Sequence, residues 1–242
     1  ETGGLGAPKT RYSVDLPRRG GQALELSYSG MLFDPTRQTS AEYSQSFSET
    51  SGIIDSRGVY LNRGSAWVPE FGDALLTFDL SVEFADSAAD WLSVSQGQRL
   101  AENTWRSDKP MEEIYLIAAA FTQYTARYDS VLDASSDSAG DGEPSGEIVG
   151  GSGGESVGES SGEGNGERSV ESGPQPRSIE MLALLRTPDP NLAAKYLDAT
   201  ARSLALYEPL LGAYPYSKFA LVENFWESGY GMPSFTLLGE QI

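Results

Sequence analysis

The chain has 242 residues, with 35 acidic against 17 basic side chains and a formal charge of −18. It contains neither cysteine nor histidine, which excludes a disulfide framework, thiolate chemistry, a Cys- or His-based zinc site and a Ser-His-Asp triad within these residues. The negative balance repels phosphate backbones, so nucleic acid is not an expected partner, and no apolar run of about 18 residues predicts a membrane-spanning helix.

Up to about Tyr128 the texture is that of strands. Tyr12–Leu16 is the first candidate. Leu24, Leu26 and Tyr28 then alternate with Glu25 and Ser27. Val59–Leu61 follows. The clearest pattern is Leu75–Phe84, where Leu76, Phe78, Leu80, Val82 and Phe84 share one face and Thr77, Asp79, Ser81 and Glu83 the other. Such period-two alternation describes a strand with one buried and one wetted face. Leu92–Ser95 and Glu113–Ala119 complete the set, punctuated by Gly, Pro, Asn and Asp. Short strands at this spacing predict an antiparallel saddle-shaped sheet or sandwich.

From Asp133 to Gly173 the composition changes. These 41 residues hold 12 glycines, 10 acids, one arginine and no aromatic residue, for a net charge of −9. Four aliphatic side chains, Ile148, Val149, Val157 and Val170, cannot offset an ordering cost of roughly 1–2 kcal/mol per residue. Glu155, Glu159, Glu163, Glu167 and Glu171 recur at helical spacing, but like charges at i,i+4 repel and the interleaved glycines weaken a helix. The segment reads as a disordered, self-repelling loop. A cation- or partner-binding tail is the functional alternative.

Beyond it the period changes. Ile179–Leu185 reads as a strand. Thr187-Pro188-Asp189-Pro190 is a helix start signal, with proline and an acid at the first turn. In the helix that follows, Leu197, Ala201, Leu204 and Leu211 are predicted to share a face. Pro209 is expected to disrupt the last turn and Gly212 to cap it. Lys218–Glu223 and Phe235–Leu238 are strand candidates, separated by a glycine turn at Gly229-Tyr230-Gly231. Strand, helix, strand and strand are too few to close a core. This block therefore reads as the opening of a larger domain.

The order of these pieces carries a resemblance. Tyr207-Glu208 at the helix end, Tyr214-Pro215-Tyr216, the lysine-bearing strand at Lys218 and Gly231-Met232-Pro233-Ser234 are similar to the opening of the catalytic domain of aminopeptidase-N-like (gluzincin) zinc metallopeptidases. There a G-A-M-E-N edge strand occupies the last position. Trp67-Val68-Pro69-Glu70-Phe71-Gly72-Asp73, the alternating strand and Val94-Ser95-Gln96-Gly97 resemble that family's N-terminal saddle domain. The resemblance spans roughly 200 residues and leaves the acidic loop without a counterpart.

It implies an α+β chain: an antiparallel β domain over 1–128, the acidic loop over 129–177 and the start of a thermolysin-like catalytic domain over 178–242. It implies a peptide substrate, and zinc in the complete protein held by an H-E-x-x-H helix and a later Glu, with none bound by this chain. The residues on the substrate side would be Tyr230, Gly231, Met232 and Pro233. The family's amine-binding Glu is replaced here by Pro233, which removes both a carboxylate and a main-chain donor. Glu223 and Glu227 are the nearby acids that could substitute, or both are solvent-facing. Glu70 and Asp73 are weaker cleft candidates, and Trp67 is a core anchor.

On this reading the chain is a piece cropped before the zinc helix, inactive by itself. The competing readings are a non-catalytic β-domain binding or scaffold protein, and an acidic protein whose loop buffers cations. The composition is compatible with export and does not specify it; oligomeric state is not legible. Limited proteolysis is expected to cut first between Asp133 and Gly173. Early cleavage elsewhere, with this segment intact, would contradict the compositional argument.

Overall fold

The computed structural model describes residues 10–13, 23–38, 48–130 and 177–239. Most of the acidic loop and part of the strand expected at Tyr12–Leu16 lie outside the described residues. In chain order the strands are Arg37–Gln38 (β1), Ser48–Glu49 (β2), Gly52–Asp55 (β3), Gly58–Leu61 (β4), Leu76–Ser81 (β5), Leu92–Val94 (β6), Gln98–Ala101 (β7), Thr104–Met111 (β8), Leu116–Ala119 (β9), Thr122–Asp129 (β10) and Ser178–Leu185 (β11). The helix Pro190–Leu211 (α1) comes next, then Lys218–Glu223 (β12), Gly229–Met232 (β13) and Phe235–Leu238 (β14). The protein is thus β-rich, with one α-helix among the described residues. No helix there is long and apolar enough to cross a membrane.

The first block is antiparallel throughout. One sheet has the order β3-β4-β9-β6, another β5-β8-β7, and β1-β2 form a short ribbon. Strand β5 alternates half-buried Leu76, Phe78 and Leu80 with exposed Thr77, Asp79 and Ser81, as its sequence predicts. Leu24, Leu26 and Tyr28 instead lie in an exposed stretch without strand structure, which corrects the expected strand. Alternation alone does not make a ladder when no partner strand supplies one. Strands β7, β8 and β10 carry too many polar side chains to have declared themselves.

The remaining sheet has the order β10-β11-β12-β14-β13. Its central strands are parallel, β11 to β12 and β12 to β14, while β10 and β13 are antiparallel edges. Strand β11 is buried on both sides, which explains its continuous Met-Leu-Ala-Leu-Leu run. Ile179, Met181, Ala183 and Leu185 face α1, packing with Leu204 and Ala193. Leu182 and Leu184 face the other way, into a core shared with Ile53, Tyr60, Trp105 and Ile117 of the first block. The second block therefore closes its core with side chains from the first, and takes β10 as a fifth strand.

Helix α1 starts where its sequence predicts. The Asp189 carboxylate accepts from the N–H groups of Asn191 and Leu192, and Pro190 occupies the first turn, where a missing donor has no consequence. Its C-terminus agrees with expectation at the Gly212 cap and differs at Pro209. Pro209 lies inside the helix, the last turn continues to Leu211, and Gly212 caps it with φ +87°. Leu211 is 79 % exposed, so it leaves the face formed by Leu197, Ala201 and Leu204.

The two blocks are joined by a buried amine. Lys218 is 1 % exposed. Its Nζ donates to the Ser95 carbonyl at 2.7 Å and lies 4.9 Å from the Trp105 ring and 5.3 Å from the Phe235 ring. Burial pushes this amine down to about 7; Glu180 opposes the shift and Arg99 adds to it. The unfolded chain therefore binds a proton at Lys218 more readily than the folded one between pH 7 and 10. The sign of the linkage makes stability rise with pH over that window. Denaturant melts are expected to show this rise, on the order of a few kcal/mol for the lysine alone. Lys218→Met should flatten it. An unchanged slope in that variant would remove Lys218 as its source.

Candidate functional site

The site is built on the β13–β14 hairpin. Met232 pairs with Phe235 across a two-residue corner, Pro233-Ser234. Proline fixes φ at the first corner, and Ser234 takes φ +69° at the second, the pattern of a turn that needs a left-handed residue there. A serine is held in this conformation because it is buried and doubly tied. Its Oγ accepts from the Gly97 N–H at 3.0 Å, and its carbonyl accepts from the Ala220 N–H at 3.1 Å. Gly97 itself has φ +78°, and a Cβ there would collide with the Arg106 carbonyl. Only glycine permits this approach.

A two-residue hairpin opens on a hydrogen-bonded pair, and the pairs alternate thereafter. Met232 with Phe235 and Tyr230 with Leu237 therefore exchange main-chain bonds. The Gly239 N–H donating to the Ser228 carbonyl at 2.8 Å continues the alternation. Gly229 and Gly231 consequently turn their N–H and C=O groups away from β14. Strand β13 ends the sheet, and among the described residues no strand pairs with its outer side. A Cβ on Gly231 would meet nothing within 4 Å. The edge thus presents donors and acceptors with no side chain in front of them at Gly231.

Beside this edge is a polar hollow of about 180 Å³, lined by Glu49, Ser51, Tyr60, Asn62, Gly64 and Tyr230 among others. Glu49 is the one acid in its wall among the described residues. The Asn62 amide donates to the Tyr60 hydroxyl at 3.2 Å, and the Tyr60 and Tyr230 rings stand 6.2 Å apart. Burial pushes the Tyr60 phenol up to about 12, with the charges of Glu113 and Glu49 adding to the shift. Burial and the Glu49 charge also raise Tyr230. Both phenols are therefore proton donors at neutral pH, facing a region that Glu49 makes negative.

The predicted site residues separate into groups. Tyr230 and Gly231 lie on the edge strand itself, where a glycine turn was expected; the turn is Pro233-Ser234 instead. Met232 is buried in the shared core. Glu223 is on the α1 face of the sheet, opposite to Tyr230, and its carboxylate accepts from the Arg186 N–H at 2.7 Å. Glu227 sits in the loop before β13, packed over Gly239 so closely that a Cβ there would strike its carboxylate. Glu70 pairs with Arg63 at 3.7 Å, Asp73 is exposed, and the Trp67 indole donates to the Ile114 carbonyl in a core position. Sequence reasoning missed Glu49, Tyr60 and Asn62. They come from β2, β4 and the residue after β4, and no spacing in the chain links them to Tyr230.

The donor set does not fit a zinc centre. The chain has no histidine or cysteine, and among the described residues no three acids converge. Carboxylates alone are poor competitors for zinc beside imidazole and thiolate. No protein-family model matches the chain, and no curated protein matches it.

Proposed function

We propose that this chain carries the peptide-docking wall of a zinc-dependent, aminopeptidase-like metallopeptidase. The observation that carries the reading is an antiparallel edge strand with no partner on its outer side among the described residues, glycines at its outward positions, and beside it a hollow whose one acid among those residues is Glu49. An extended peptide would add to β13 as a further strand, using main-chain groups for affinity. The hollow would take its free ammonium, with Glu49 in the role that Pro233 cannot fill. The motif order from Tyr207 to Ser234 supports the family assignment. In this reading the zinc and its ligands belong to residues other than these 242, and no hydrolytic step is assigned to the side chains present.

The donor inventory favours a second reading, a peptide-binding module without catalysis. The reading frame downstream of Ile242 separates the two: H-E-x-x-H for the peptidase, a stop codon for the module.

Docking itself is tested by calorimetry with Ala-Leu-Ala-Ala and its N-acetylated form. The free peptide is expected to bind about tenfold more tightly, and Glu49→Gln to erase the difference. Gly231→Pro removes an outward donor and should weaken both peptides by up to about tenfold. Absence of binding at millimolar peptide, or indifference to both substitutions, would dismiss the edge strand as a docking site.

A further inference from the structure

On the opposite face of the same sheet, the C-terminal half of α1 and the loop after it enclose a largely apolar hollow of about 550 Å³. That volume lies in the range of small-molecule sites. Tyr196, Tyr207, Tyr214 and Phe219 supply aromatic walls, with Leu204 and Leu221 between them. Among the described residues no lysine or arginine is in the lining, and its one acid is Glu208.

Glu208 is 2 % exposed. Its Oε2 accepts from the Tyr128 hydroxyl at 2.9 Å, while Oε1 has no hydrogen-bond partner among the described residues. The neighbouring hydroxyls do not answer it. Thr200 donates back to the Tyr196 carbonyl and Ser203 to the Ala199 carbonyl, each at 2.9 Å. Arg177, which is not in the lining, donates a guanidinium N–H to the carbonyl of Pro215, which is. A buried carboxylate oxygen left without a donor is costly, and a cationic donor would meet the deficit best.

We propose that this hollow binds a small hydrophobic amine, its ammonium donating to Glu208 Oε1 and its apolar body lying among the tyrosines. Charge complementarity selects the cation: one buried anion, an apolar enclosure and no competing positive side chain in the wall. The site is separate from the β13 edge and does not depend on the peptidase reading.

The probe is 4-phenylbutylamine, with 4-phenylbutanol and 4-phenylbutyrate as neutral and anionic counterparts, titrated calorimetrically into the 242-residue chain at pH 7. The amine is expected to bind at least tenfold more tightly than the alcohol, and the carboxylate not to bind. Glu208→Gln keeps an acceptor for the Tyr128 hydroxyl and should lower the amine to the affinity of the alcohol. Ser203→Trp, an exposed position on the hollow's wall, leaves Glu208 in place and should abolish binding of both. It decides the matter even where Glu208→Gln fails to fold. Equal affinity for amine and alcohol, no binding of the amine, or amine binding that survives Ser203→Trp would each overturn the proposal.

Discussion

A primary amine inside an apolar core is the interaction on which this arrangement turns. Lys218 is the first residue of β12, the middle strand of the mixed sheet, and its ammonium can be satisfied only by what the first block brings to it. The first block brings the Ser95 carbonyl and the Trp105 ring, and the Phe235 ring of the second block lies near the same amine. Burial holds this amine at about 7, so above neutral pH it is buried largely uncharged, and the Ser95 carbonyl gives its N–H the acceptor that the apolar surroundings withhold. Of the neighbouring residues, Gln96 ties the first block to itself and Gly97 repeats the attachment. Gln96 donates to the Glu113 carbonyl and accepts from the Tyr115 N–H, and Gly97 donates to Ser234. Ser95, Gln96 and Gly97 thus bond in turn to β12, to the segment that leads into β9 and to the hairpin of the other block.

This attachment gives the edge strand its orientation. Ser234 is held in a left-handed conformation by a bond from Gly97, so the hairpin corner is set by the first block as well as by its own proline. With the corner fixed, the alternation of bonded pairs is fixed too, and Gly229 and Gly231 face outward. A slip by one residue would carry Tyr230 and Met232 from the core to solvent, with the loss of two substantial apolar burials. The edge is therefore rigidly registered while, among the described residues, no strand pairs with its outer side. An open strand is an aggregation liability unless something covers it in use. Proposed docking of a peptide there gives the exposure a purpose.

Legibility in the sequence followed burial. A half-buried strand writes its environment residue by residue, which is why Leu76–Ser81 was readable. A strand buried on both sides writes an unbroken apolar run, as at Met181–Leu185. The helix start was readable because Asp189 and Pro190 act locally on neighbouring N–H groups. The helix end was readable at its Gly212 cap but not at Pro209. Pro209 falls where the missing bond lies on an exposed side, so the helix passes through it, and Leu211 follows into solvent. Strand β8 was invisible because only Trp105, Ser107 and Met111 are buried along its eight residues. The site was half legible. Tyr230 and Gly231 lie in a compact motif, whereas Glu49, Tyr60 and Asn62 reach the hollow by folding alone.

The role of Pro233 changes once the hairpin is seen. Taken as a sequence, it deletes a carboxylate from an otherwise familiar motif. In the structure it fixes the first corner of a turn whose second corner already bears the strain of a serine at positive φ. Glutamate at that position would release the constraint on φ and leave Ser234 to hold the corner unaided. In the proposed docking site the carboxylate would then come from elsewhere. Glu223 cannot supply it, because alternation along β12 directs its side chain to the helix face. Glu49 can, because the short ribbon and the first block bring it to the same hollow as Tyr230. The division of labour between corner and carboxylate is thus a consequence of hairpin geometry, and it transfers amine recognition in the proposed site from the second block to the first.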